Sequence, residues 1–156
     1  MLFINNFSSF IFFGVSLREH IMKKYELVED DFIVFVFEDV KLYRVKATKT
    51  FSSVNAGDLG GYIEKEDNLS HDDDAWVSGN ARVSGNARVS GNAMISGDAR
   101  VKGNAMISGN AWVCGDAQVC GDAWVYGNAL IFGNAMISDN TWVSNARVFG
   151  NTLVYD

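Results

Sequence analysis

A chain of 156 residues with 48% hydrophobic and 21% charged residues has the length for one domain with its own core, and its composition excludes wholesale disorder. The net charge of −6 lies wholly ahead of Ala75. Beyond that point Arg82, Arg88, Arg100, Lys102 and Arg147 balance Asp98, Asp116, Asp122, Asp139 and Asp156, and near the start Arg18 cancels Glu19. An acidic end on a neutral body is a poor match for a phosphate backbone, so no nucleic-acid partner is expected.

In chain order, residues 1–21 read MLFINNFSSFIFFGVSLREHI and differ from everything that follows. Their first residues lack Lys and Arg and no A-x-A-like cleavage site follows, which argues against a signal peptide. The apolar run is short and interrupted by polar residues, so no membrane span is expected. Arg18-Glu19 can be encoded by a purine-rich, ribosome-binding-like stretch just upstream of Met22, and MKKYEL makes a plausible start. The expectation is that residues 1–21 are a non-native or disordered extension, with translation beginning at Met22 and not Met1.

Residues 22–74 read as a small N-terminal β cap. Phe32 to Phe37 and Leu42 to Ala47 have strand composition on either side of a turn, giving a hairpin. Gly57, Gly60 and Gly61 then suggest tight turns. Covering the open edge of a repeat array is a sufficient role for such a segment. Glu66, Asp67 and Asp72 to Asp74 read as a solvated acidic face, with His71 exposed among them.

Residues 75–156 are repetitive: AWVSGN, ARVSGN, ARVSGN, AMISGD, ARVKGN, AMISGN, AWVCGD, AQVCGD, AWVYGN, ALIFGN, AMISDN, then the five-residue TWVSN, ARVFGN and TLVYD. Alternation puts Ala and Val or Ile on one side of a very short strand and the residue between them on the other. The Gly-Asn or Gly-Asp pair supplies positive-φ conformations for a corner. Such a strand gains stability only by stacking on equivalent strands above and below. Cys114 and Cys120 occupy the serine position of successive repeats and read as small substituents, compatible with a reducing, cytoplasmic setting.

A period of six with small and β-branched inward residues resembles the hexapeptide-repeat superfamily. The resemblance implies an all-β fold: a left-handed parallel β-helix, a triangular solenoid with three hexads per coil. Residues eighteen apart then stack, and the inner columns are Val77, Ile95, Val113, Ile131; Val83, Val101, Val119, Ile137; and Val89, Ile107, Val125, Val143. Outside, face one carries Trp76, Met94, Trp112 and Leu130. Face two carries Arg82, Arg100, Gln118 and Met136, and face three carries Arg88, Met106, Trp124 and Trp142.

Two apolar faces beside a polar one point to an interface. The expected partner is the chain itself: a homotrimer in which face one of one subunit packs on face three of the next, closing a ring. Ordinary scatter of surface apolar residues and a site for another protein are the competing readings. For ligands, Arg82, Arg88 and Arg100 are candidate anion-binding residues if subunit packing unites them. Asp98 and Asp116, eighteen apart, are a candidate Ca2+ pair; otherwise no cofactor is expected.

The phrases LYRVKA and AGDLGGYIEKEDNLSHDDDAWVSGNARVSGNA narrow the resemblance to YdcK-like hexapeptide-repeat proteins of bacteria and their phages, over about residues 22–156. Such relatives suggest either a transferase or a phage protein. Hexapeptide acyltransferases use an interface histidine as general base and a loop leaving the helix to shape the donor site. Here the histidines are His20 and His71, and no loop interrupts the hexads. The reading is therefore a non-catalytic binding solenoid that self-associates. An acyltransferase relative and a phage-encoded inhibitor or nucleotide-signal sponge are its alternatives.

Overall fold

The computed structural model describes residues 23–156; the extension at residues 1–21, the choice of start at Met22 and His20 lie outside the described residues. From Trp76 onward each hexad contributes a two- or three-residue strand, and these stack into three parallel sheets. Trp76 pairs with Met94 and Trp112 with Met94 and Leu130, which is face one. Arg82, Arg100, Gln118 and Met136 run in register on face two, and Arg88, Met106, Trp124 and Trp142 on face three. Three hexads per coil is therefore the geometry of this parallel β-solenoid.

The backbone explains why one phrase suffices. In each hexad the outward residue, the serine-position residue and the Asn or Asp donate N–H groups to the coil above: Trp76 to Ala93, Ser78 to Ile95 and Asn80 to Gly97, at 2.8–3.0 Å. The inward Ala and Val or Ile fill the prism; Ala111 is 1% exposed and Ile95, Ile107 and Ile131 are fully buried. Along the corners, side-chain amides form ladders, such as Asn92 to Asn110 at 3.1 Å and Asn110 to Asn128 at 3.2 Å. In the corner pair only the glycine takes positive φ, and it does so under crowding. A Cβ on Gly109 (φ +65°) would lie 2.9 Å from the Gly127 nitrogen.

The five-residue phrase TWVSN is absorbed at one corner. Asn145 takes the glycine position with φ 50°, and its Oδ1 accepts the Asn128 N–H at 3.0 Å. One residue supplies the turn and the acceptor. Pairing beyond it shifts from eighteen to seventeen, with Leu130 opposite Arg147 and Met136 opposite Leu153.

The cap closes the first coil in three places. Strands β1 (Tyr25–Phe35) and β2 (Val40–Ala47) form an antiparallel hairpin, and β3 (Leu59–Ile63) pairs antiparallel with β2 on one side and parallel with Arg82–Val83 on the other. The cap thus prolongs the sheet of face two to eight strands. The first strand is longer than its composition suggested and ends earlier, at Phe35. Glu29 to Asp31 are accommodated as a register shift between Val28 and Phe32, and Asp31 pairs with Arg44 at 2.8 Å. Gly60 and Gly61 lie inside β3 and form no turn. A Cβ on Gly60 would sit 2.5 Å from the Val77 carbonyl oxygen, so glycine lets the strand lie directly on the first coil. Gly57 (φ +93°) does occupy a turn conformation.

Side chains finish the closure. Glu64 accepts the Gly85 N–H at 2.6 Å, and buried Asn68, in the 3-10 turn Glu66–Asn68, donates to the Gly85 and Ala87 carbonyls at 3.1 and 2.8 Å. The Gly85 and Ala87 carbonyls, whose equivalents at Gly103 and Ala105 accept N–H groups from the preceding coil, are satisfied here by the cap.

Candidate functional site

Face three is the most apolar free surface among the outward columns. Its strands present Met106, Trp124 and Trp142, and the two indoles stack with centroids 5.3 Å apart and planes 9° from parallel. Register alone brings this about: residues eighteen apart sit one strand spacing apart, about 4.8 Å, close to the separation that offset aromatic rings prefer. Trp142 is 67% and Trp124 43% exposed. Arg88 stands at the cap end of the same column.

Face one is only partly free. Trp112 is 50% exposed, with its indole N–H donating to Ser96 Oγ at 3.0 Å, which fixes the ring over the corner. Leu130 follows it in register. Met94 is half-buried and shares a recess with Ser52, Ser53, Asp74 and Trp112. Trp76, expected outside as an interface residue, is 3% exposed. The cap folds over it: Phe51 and Tyr25 approach edge-on, with centroids 5.4 and 6.4 Å away. Trp76 is a core residue of the cap–solenoid junction, because the first coil's outer face is where the preceding chain packs.

The acidic stretch of the cap is likewise built around burial. His71, expected exposed, stacks on Tyr25 at 4.1 Å, and its Nδ1 accepts the Lys24 backbone N–H at 3.3 Å. Burial pushes its pKa below the usual 6.5, against the pull of nearby Glu66. Lys24 is 1% exposed; its ammonium donates to the carbonyls of Asp72, Asp73 and Ala75 at 3.3, 3.1 and 2.7 Å and lies over the Phe51 ring. Burial lowers its pKa from 10.5 to about 8, opposed by Asp74, Asp73 and Asp72. The Tyr25 hydroxyl donates to the Glu66 and Leu69 carbonyls. The cluster ties the start of the cap to the start of the first coil, and both ring nitrogens of His71 face protein groups, Nε2 lying 3.7 Å from a Glu66 oxygen.

Repeat by repeat, the YdcK β-solenoid repeat model matches residues 75–91, 87–103, 99–115 and 117–131. The chain carries YdcK-type β-solenoid repeats. No curated protein matches it. The matched residues of the YdcK-type solenoid comprise its first three coils and the start of the fourth, so the cap, Trp142 and the Asn145 corner lie beyond them.

The remaining candidates separate by face. Arg82 and Arg100 are neighbours in register, whereas Arg88 belongs to another sheet. Within the chain the three do not converge. Asp98 and Asp116 share a corner column; Asp98 Oδ1 accepts from Asn80 Nδ2 at 3.2 Å. Among the described residues no group of three or more His, Cys, Asp or Glu is arranged to hold a metal ion. Cys114 and Cys120 are free thiols, and burial raises the Cys114 pKa. No helix among the described residues is long and apolar enough to cross a membrane.

Proposed function

We propose that this solenoid is a non-catalytic assembly module that forms a homotrimer through faces one and three and leaves face two and the cap for other partners. The observation that carries this reading is the level-by-level match of the two apolar columns. Packed side by side at the same height, face one and face three bring Met94 to Met106, Trp112 to Trp124 and Leu130 to Trp142. At the first level face three offers Arg88, while Trp76 is withdrawn under the cap. Residues of this kind, large, aromatic and already held by stacking or by a hydrogen bond, lose little side-chain entropy on association. Using two different sides makes the contact heterologous, and a rotation of one third of a turn from copy to copy closes it into a ring of three.

Light scattering on the full chain tests the reading directly, with three protomer masses as the expected result. Trp124→Glu and Trp112→Glu each place a charge at the centre of the contact and are expected to give monomers. Gln118→Glu, on face two, leaves the trimer intact. A monomeric parent protein removes the proposal.

A further inference from the structure

Face two carries a feature independent of self-association. The far end of the cap hairpin overhangs its first two coils and encloses a groove lined by Phe35, Glu38, Val40, Arg82, Arg100 and Lys102, with Ser84 between. Alternation directs residues 82, 84, 100 and 102 outward, and the coils stack 82 on 100 and 84 on 102. The result is a two-by-two patch of Arg82, Arg100, Ser84 and Lys102 roofed by the hairpin.

Three properties of the patch call for an anion. Two arginines stand directly opposite each other on adjacent strands, an arrangement that like charges disfavour unless something neutralises them. Among the described residues, no ion pair or side-chain hydrogen bond engages Arg82, Arg100 or Lys102, and Glu38 is the only acidic residue of the lining. The Nε of Arg82 is buried without an acceptor, while its guanidinium is held over the Phe35 ring at 5.2 Å. A buried donor without a partner is uncommon in a folded protein. The groove has a volume of about 60 Å³. Since roughly 10–15 Å³ of such space admits one water, it takes a few waters or one tetrahedral oxyanion.

We propose that this groove is a binding site for a small phosphate, either inorganic phosphate or a phosphomonoester, held by Arg82, Arg100 and Lys102 with Ser84. Guanidinium forks on successive coils suit the oxygens of a tetrahedral dianion, the ammonium adds a point charge, and the serine hydroxyl adds a donor. The enclosing hairpin and the acidic cap exclude a polyanionic strand. Lys102 is legible only in hindsight: it replaces serine in ARVKGN, in the hexad that stacks on Arg82 and Ser84.

The test is titration calorimetry on the full chain with inorganic phosphate and, separately, ribose 5-phosphate, at low millimolar ligand and constant ionic strength set by chloride. Saturable binding is expected, weakened at least tenfold by Arg100→Gln and by Lys102→Gln. Both positions are exposed, so melting curves in chloride alone are expected to match the parent. Arg88→Gln, on face three, is expected to bind as the parent does. Equal affinity for the two probes assigns the site to free phosphate, and at least tenfold tighter binding of the ester assigns it to a phosphomonoester. No saturable binding of either probe, or equal losses from Arg88→Gln and Arg100→Gln, overturns the proposal. Trimer or monomer, the result reads the same.

Discussion

Lys24 is an ionisable side chain buried with its charge, and its cost has a pH signature. Because burial lowers its pKa to about 8 from 10.5, the unfolded chain retains a proton there that the folded chain has lost. Stability therefore rises between about pH 8 and 10.5 from this residue. Tyr25 works against it: its phenol is raised above the usual 10.0 by burial, so from about that pH the unfolded chain ionises first and stability falls. His71, lowered from 6.5, gives stability that is present above that value and lost as the pH falls through the folded value. Urea unfolding from pH 7.5 to 10 is expected to show a rising slope in the parent and a flatter one in Lys24→Met. The same slope in both would dispose of the assignment. None of this was visible in the sequence, where nothing marked Lys24 and where His71 read as exposed in an acidic stretch. Trp76 misled for the same reason. A residue's place in the repeat gives its direction, but only tertiary packing shows whether the cap lies over it.

At the scale of elements, the short phrase TWVSN tests whether one asparagine does two jobs. Asn145 combines φ 50° with an acceptor for the Asn128 N–H. Asn145→Gly keeps the backbone conformation and loses the acceptor, at about 0.5–1.5 kcal/mol if water does not replace it. Asn145→Ala loses the acceptor and adds about 1–2 kcal/mol for a left-handed alanine. The expected order of melting temperature is Asn, then Gly, then Ala; alanine at or above glycine would rule out the double role. The missing residue was legible as an irregularity of the phrase, and the strands and inner columns were legible because period and side-chain type agree at every repeat. The cap was less so. Gly60 and Gly61 suggest turns when read locally, yet both exist because β3 must lie against Val77 and Ala81. That constraint comes from residues some seventeen to twenty positions away, beyond the reach of turn rules.

The whole molecule is one-dimensional: each coil touches the next through the same hydrogen bonds and the same inward columns. Its stability is then close to a sum of coil terms and nearest-neighbour interfaces. A perturbation in the middle should accordingly stay local before it becomes global. Ala111 is a suitable place to look, being 1% exposed, with its carbonyl receiving the Met94 N–H at 2.9 Å while the adjoining Trp112 N–H reaches Ala129 at 2.8 Å. Leucine there has no room between the stacked and equally buried Ala93 and Ala129, and overpacking is expected to cost about 1–3 kcal/mol. For a chain of this size that corresponds to a fall in melting temperature of about 2–12 °C. Hydrogen exchange adds the decisive detail. In Ala111→Leu the amides of Met94, Trp112 and their coil neighbours are expected to lose protection, while those of Tyr62 and Glu64, which bond the cap to the first coil, keep theirs. Uniform loss across all coils would mean that the solenoid opens as a single unit, and the nearest-neighbour picture would have to be abandoned for it.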